Sequence, residues 1–152
     1  MVIVMIHIVD HQNEQLAKEI QGIQQAAYRI EAELMGFYGI PQLHETIAQI
    51  QNSAETFVGY KEEQLQGLLS YQVKEGEIDI HRLVVHPDHF RKGVGRKLVA
   101  YLLGHFRGYR FTVSTGTANK PAIALYKTFG FQEQRLFEVA PGITCTQFSL
   151  SN

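Results

Sequence analysis

Hydrophobic residues change their spacing several times along this chain, and each change marks an element. Val2 to Val9 is rich in β-branched residues and reads as a strand. Leu16, Ile20, Ile23, Ala27, Ile30 and Leu34 then recur at steps of three and four, one face of a long helix that ends near Gly36. Pro41 opens a second, shorter helix with Leu43, Ile47 and Ile50 on one face. Glu55 to Tyr60 is a strand and Lys61 to Gln64 a polar turn, after which Leu65, Gly67, Leu69, Tyr71 and Val73 alternate as one face of the next strand. Glu75-Gly76 makes a tight connection to a strand at Glu77 to Val85, so this pair is expected to be antiparallel.

The period returns to that of a helix at Val94, Leu98 and Leu102, with Val99, Leu103 and Phe106 beside them and Gly108 at the end. Tyr109 to Thr115 alternates again. Pro121 suits the first turn of a further helix and Gly130 its C-terminal cap, and Phe131 to Val139 and Thr144 to Leu150 are two strands around Pro141-Gly142. The order predicts an α/β fold: a mixed central sheet of about seven strands flanked by about four helices. No repeat, low-complexity segment or linker interrupts it, so residues 1–152 read as a single domain.

Composition adds little to this picture, with 45% hydrophobic and 19% charged residues. No run is long enough to cross a bilayer, so no membrane partner is expected. Met1 to Val9 lacks a basic flank and a small-residue cleavage site and is followed at once by Asp10, which favours a strand over a signal peptide. The only cysteine, Cys145, cannot form an internal disulfide, and a reducing cytoplasmic location is expected. Charge is more telling. Residues 1–81 carry 4 Lys/Arg against 12 Asp/Glu, residues 82–152 carry 10 against 3, and no acidic residue stands between His89 and Gln132. A basic region for a polyanion and an acidic one for a cation would use that asymmetry, whereas mixing in space would erase it.

The basic half contains Leu83-Val84-Val85-His86-Pro87-Asp88-His89-Phe90-Arg91-Lys92-Gly93-Val94-Gly95-Arg96-Lys97-Leu98, a strand, a glycine turn and a helix start. Gly93 and Gly95 lack a Cβ, so main-chain N–H groups at a helix N-terminus can approach phosphate oxygens, and Arg91, Lys92, Arg96 and Lys97 add positive charge. It is not a dinucleotide fingerprint, because Leu98 stands where a third glycine is needed, nor a Walker-type loop, because Gly95 is followed by Arg96-Lys97.

Leu83-Val84-Val85-His86-Pro87, Lys92-Gly93-Val94-Gly95 and Leu98, followed by Asn119-x-x-Ala122-x-x-Leu125-Tyr126-x-x-x-Gly130-Phe131, resemble the two signatures of the GNAT N-acetyltransferase superfamily. One departure is Phe90, which stands where that family usually has Gln or Arg. The resemblance implies the GNAT acyl-CoA N-acyltransferase fold and acetyl-CoA as co-substrate. It implies that the main chain of Leu83, Val84 and Val85 pairs with the pantetheine arm, that N–H groups from Lys92 through Gly93, Val94 and Gly95 to Arg96 hold the pyrophosphate with Arg91 nearby, and that Asn119 and Ala122 border the coenzyme. It implies that Tyr126 protonates the departing thiolate. It also implies an acidic residue near the active site at Asp79. His81, two residues on and so on the same strand face, titrates in a useful range, and either group could take the acceptor's proton directly or through water.

The expected activity is direct transfer of an acetyl group, in a ternary complex, to a primary amine of a small molecule or a protein. Glu31, Glu33 and Glu45, with Tyr28, Phe37 and Tyr38, suggest an acceptor pocket suited to a cationic amine. A non-catalytic CoA-binding regulator on the same fold is the alternative. The basic stretch from Arg82 to Lys127 lacks interleaved aromatics expected to be exposed and any recognisable motif for nucleic acid, and the overall charge is near zero, so no nucleic-acid partner is expected. No His/Cys spacing suits zinc, so no metal is expected. Members of the family often pair, so a homodimer is an expectation.

Overall fold

The computed structural model describes residues 3–151. The elements are β1 (Met5–Ile8), α1 (Glu14–Met35), α2 (Ile47–Gln51), β2 (Thr56–Glu62), β3 (Gln64–Lys74), β4 (Glu77–Val85), α3 (Val94–His105), β5 (Arg110–Gly116), α4 (Lys120–Thr128), β6 (Gln132–Ala140) and β7 (Ile143–Ser151). The seven strands form one sheet in the order β1-β2-β3-β4-β5-β7-β6, antiparallel throughout except for the parallel pair β4–β5.

Local chemistry sets the boundaries. The Asn13 side chain accepts the Leu16 N–H at 3.0 Å to start α1, and Gly36, at φ 64°, closes it in the left-handed region that glycine enters without strain. Three expectations need correction. The first strand is Met5–Ile8 rather than Val2 to Val9, and of the longer span residue 2 lies outside the described residues. The second helix is broken. Pro41–His44 is a single 3-10 turn, and a new helix starts only at Ile47, because the Thr46 hydroxyl accepts the Gln49 N–H at 3.1 Å while the Gln49 side chain accepts the Thr46 N–H at 2.8 Å. Leu43 and Ile50 are buried all the same. The turn expected at Lys61 to Gln64 shrinks to Glu63 alone, at φ 59°.

Two apolar layers cover the two faces of the sheet. On one, Val94, Leu98, Val99 and Leu102 of α3 and Tyr126 of α4 pack with Leu69, Ile78, Ile80, Phe111 and Phe148. On the other, Ala17, Ile20, Ile23, Tyr28 and Ala32 of α1 pack with Leu43, Ile50, Phe57, Leu68 and Val84.

Strand β4 changes sides partway. Ile80 pairs with Tyr71 and Arg82 with Ser70, so His81 is an extra residue, a β-bulge. Before it, Ile78 and Ile80 face the α3/α4 layer; after it, Val84 faces α1 while Leu83 and Val85 pack on the α3/α4 side.

Candidate active site

The parallel pairing of β4 with β5 covers only Glu77–Ile80 against Arg110–Val113. Beyond it β5 runs on against β7 as far as Gly116, while β4 runs on against β3 as far as Val85, and the two strands part. The His86 N–H donates to the Gln66 carbonyl at 2.8 Å, which fixes the phase of the β3–β4 ladder. With that phase, the main-chain groups of Leu83 and Val85 point away from β3 into the gap. Val84, between them, turns its main-chain groups to β3 and its side chain into the α1 layer, so it lines the gap without a free group to offer.

Two clefts open along this gap. The first, about 530 Å³, is lined by Leu83, Val84 and Val85, by His89, Phe90, Arg91 and the Gly93-Val94-Gly95-Arg96 turn, and by Pro121, Ala122 and Leu125, whereas Lys92 stays outside it with its Nζ 3.4 Å from His89 Nδ1. Here α3 begins at Gly93, which has φ 76° and offers no side-chain cap, and the first helical bond runs from Lys97 N–H to the Gly93 carbonyl at 3.0 Å. The other α-helices each have a side-chain cap, from Asn13, Thr46 and Asn119. The N–H groups of Val94, Gly95 and Arg96 thus have no acceptor within the helix, and the positive end of the helix dipole lies with them. Arg91, at φ 64°, takes a left-handed conformation that costs a non-glycine residue about 1–3 kcal/mol. Arg91 and Arg96 line this basic cleft, as does the exposed Phe90, whereas Lys97 instead lies over the Tyr60 ring, 5.7 Å from its centroid.

The second cleft, about 400 Å³, is walled by Tyr28, Glu31 and Met35 of α1, Phe37 and the Gly39–Gln42 segment, His81 to Leu83 of β4, Val113 to Gly116 of β5, Asn119, Ala122 and Tyr126, and Cys145 of β7. The two clefts share Glu31, Leu83, Asn119 and Ala122. Tyr126 is 4% exposed, its ring 5.5 Å from that of Phe131, and burial, then the nearby Glu31, push its phenol well above the usual range. It therefore keeps its proton at neutral pH. Cys145, remote in sequence, is carried into this cleft because β7 pairs with β5, Cys145 opposite Gly116. Burial and then Glu31 raise its thiol, so it is not an activated nucleophile.

Asp79 and His81 do meet, but not as free proton acceptors. The His81 Nε2 lies 3.1 Å from Asp79 Oδ2, and its Nδ1 lies 3.1 Å from Glu55 Oε2. Hydrogen bonds to Asp79 and then Glu55 push His81 up to about 9, against the opposing effect of burial. At neutral pH the ring is charged and both its nitrogens are engaged, which leaves no lone pair to receive a proton. Burial tends to raise the Asp79 carboxyl, but hydrogen bonds from His81 and from Thr112, whose hydroxyl donates at 2.7 Å, outweigh it and hold it below the usual range. Asp79 is half exposed and lines neither cleft.

Behind His81 sits a network that sequence reasoning missed. Arg82, 3% exposed, donates from Nε to Glu55 at 3.1 Å and to the Ser70 hydroxyl at 3.0 Å, from Nη1 to Gln24 at 2.7 Å and to Glu45, and from Nη2 to Glu45 at 3.2 Å. Its charge therefore belongs to the interior and not to the basic stretch expected from Arg82 onward. Glu45 is spent on Arg82 rather than open to an acceptor, and Glu33 and Tyr38 are exposed and line neither cleft. The available signal was an arginine at a position whose neighbours in the alternation are Ile80 and Val84. Among the described residues no group of His, Cys, Asp or Glu is placed to hold a metal ion, and no helix is long and apolar enough to cross a membrane.

Comparison with known proteins places this geometry. Residues 17–131 match the acetyltransferase (GNAT) family. The UPF0157 protein YqkA of Bacillus subtilis is 40% identical over 148 residues, 96% of this chain but 43% of that protein, so the chain spans less than half the length of this relative. The [ribosomal protein bS18]-alanine N-acetyltransferase of Escherichia coli is 29% identical over 114 residues, 71% of this chain and 74% of the enzyme. The crystal structure of that Escherichia coli enzyme superposes with a TM-score of 0.76 at 19% identity, covering 98% of this chain and 94% of the other. The PaiA N-acetyltransferase of Thermoplasma acidophilum, solved with coenzyme A, superposes with a TM-score of 0.73 at 12% identity, covering 95% and 98%. Structural likeness at such identities speaks for the fold. The family match covers well over half of the sequence and agrees with the seven-stranded sheet parted at β4–β5, and the chain belongs to the acetyltransferase (GNAT) family.

Proposed function

We propose that this chain is an acetyl-CoA-dependent N-acetyltransferase that moves an acetyl group directly to a primary amine within a ternary complex. The observation that carries the reading is the shared wall: two clefts, one suited to an anionic coenzyme and one able to take a small acceptor, meet at Glu31, Leu83, Asn119 and Ala122. The basic cleft fits a CoA thioester on three counts. The uncapped start of α3, with Arg91 and Arg96, suits a pyrophosphate. The main chain of Leu83 and Val85 offers an extended arm a strand edge to pair with. The cleft's volume lies in the range of ligand pockets.

Bound there, the thioester supplies an activated acyl carbon. The residues of the chain do the rest. The edge of β4 orients the arm toward the shared wall. Tyr126 holds its proton at neutral pH and gives it to the leaving sulfur as the C–S bond breaks. Asp79 and Glu55, from outside the cleft, hold His81 as a fixed cation on the wall of the acceptor cleft. Direct transfer accords with the state of Cys145, the one thiol in the cleft, which burial keeps protonated.

The test is thermal stability with acetyl-CoA, CoA, ATP and NAD in parallel, followed by release of CoA thiol with a panel of amines. A ligand at a hundred times its Kd adds about 2.7 kcal/mol to folding stability. Stabilisation by acetyl-CoA and CoA alone, with amine-dependent thiol release, is expected. Stabilisation without turnover on any amine would favour a CoA-binding regulator, and no response to either CoA species would remove the coenzyme from the reading.

A further inference from the structure

Of the titratable residues that line the two clefts, one lines both. Glu31 faces the coenzyme side with Leu83 and Asn119 and the acceptor side with Tyr28 and Met35, and its carboxylate is the only one on either wall among the described residues. Its place follows from helix geometry. Tyr28, Glu31 and Met35 are spaced by three and four along α1, so they share one face, which α1 turns toward the parted strands.

The carboxylate is held from one side. Asn119, the Gly116 N–H and the Thr115 hydroxyl lie on that side and favour its charged form, against the effect of burial. Asn119 is held in turn, since its side-chain oxygen accepts the Ala122 N–H at 3.3 Å and caps α4. The titratable groups that share the acceptor cleft with it are Tyr28 on its own helix, Arg82 and His81 on β4, Tyr126 on α4 and Cys145 on β7, and those of the coenzyme cleft are His89, Arg91 and Arg96, which the proposed pyrophosphate would engage. Arg82 is committed to Glu45 and Glu55, and His81 to Asp79 and Glu55. Neither cation of the acceptor cleft is therefore available to neutralise Glu31, and that cleft keeps a place for a cationic ligand.

Resting on the transferase reading above, we propose that Glu31 binds the acceptor's ammonium group and removes its proton at the wall between the clefts. The step balances. Glu31 takes one proton from the ammonium, and the nitrogen lone pair forms the N–C bond to the thioester carbonyl while the C–S bond breaks. Tyr126 gives its proton to the leaving sulfur. The second proton that the nitrogen loses on becoming an amide restores the phenol, and Glu31 returns its own to solvent. Burial raises the Glu31 carboxyl, with Asn119, Gly116 and Thr115 acting against it, which moves it toward the range of an effective base. The acceptor this selects is a primary alkylamine small enough for a cleft of about 400 Å³, with an apolar or aromatic body against Tyr28, Phe37 and Met35.

The test compares wild type with Glu31→Gln and Glu31→Asp on two kinds of nucleophile. One is the best of n-butylamine, phenethylamine and spermidine, all ammonium ions at neutral pH. The other is hydroxylamine, which is mostly unprotonated there and needs no proton removed before it attacks. Acetyl-CoA affinity is measured by calorimetry for each variant, and turnover is compared at saturating acetyl-CoA. Turnover of the alkylamine is expected to fall by roughly 10²–10⁴-fold, the usual contribution of a general base, with hydroxylamine turnover much less affected and Glu31→Asp partly restored. Equal losses with both nucleophiles would mean that Glu31 only shapes the cleft, and the proposal would fall. So would full alkylamine activity in Glu31→Gln, or wild type that binds acetyl-CoA but turns over none of the three amines. Wild type that fails to bind acetyl-CoA overturns the transferase reading itself, an outcome the calorimetry reports separately.

Discussion

The two clefts are built on opposite principles. The basic cleft is largely one continuous stretch, Leu83 to Arg96, and works through main-chain groups that need little from side chains beyond two glycines and some positive charge. The aromatic cleft draws single side chains from α1, the segment after it, β4, β5, α4 and β7, and owes its polarity to buried ions. A site made of backbone can accept many local substitutions and still recognise the same coenzyme. A site made of converging side chains can change its ligand one residue at a time. That division suits a fold in which the donor is constant and the acceptor varies.

The sharpest way to break the comparison is Arg82→Met. It leaves Glu45 and Glu55, both partly buried, without their shared cation, Glu55 keeping only His81, and the loss is expected to approach the ~3–5 kcal/mol of a broken buried pair. Urea denaturation is expected to show it, and a loss below about 1 kcal/mol would place the pair in the range of surface ion pairs. Next is Tyr126→Phe. Thiol release is expected to fall by roughly 10²-fold or more with acetyl-CoA affinity preserved, since the phenol is assigned to proton transfer and not to coenzyme binding. An unchanged rate would take the acid away from Tyr126.

On the basic side, Gly67→Ala tests how α3 is seated. A Cβ there would meet Val94 Cγ1 at 2.8 Å and the Val84 carbonyl at 3.0 Å, the latter backbone that cannot step aside. The expected cost is about 1–3 kcal/mol, with weaker stabilisation by CoA because the helix start is displaced.

The smallest effect is in pH. His81 is raised from its ordinary 6.5 to about 9, so its contribution is full below 6.5 and fades as pH rises through 9. Glu55 is lowered from 4.5 to about 2, because hydrogen bonds from His81, Ser70 and Arg82 outweigh the effect of burial; its contribution is full above 4.5 and fades as pH falls through 2. From this cluster, stability is expected to be greatest between pH 4.5 and 6.5, and His81→Gln should abolish the alkaline decline in an unfolding series.

The same contrast decides what the sequence could tell. Strand and helix periods gave the order of all seven strands and most boundaries, because half-buried elements repeat their environment every two or every three to four residues. The basic cleft was legible because its chemistry is contiguous: Gly93, Gly95 and their basic neighbours sit within one turn. The break at Glu45-Thr46 was not, since a capping pair, Thr46 with Gln49, overrode a continuous apolar face. Nor was the destination of Arg82, which is fixed by Gln24 of α1, Ser70 of β3, and Glu45 and Glu55 on the connections either side of α2. Glu31 was visible as one acid among several, but only the parting of β4 from β5 shows that it stands between two clefts while Glu33 faces solvent.

The extra residue at His81 gives β4 a seam. Ahead of it, even-numbered residues serve the layer of α3; behind it, even-numbered residues serve the layer of α1. Burial does not register the switch, because Ile78, Ile80, Arg82 and Val84 are all buried. The chain's length does. Deleting or adding one residue between Ile78 and Val84 would send a guanidinium toward the wrong layer while hardly altering composition. What this stretch must conserve is therefore its count of residues, and drift in this chain is expected to proceed there by exchange of side chains and never by insertion or deletion.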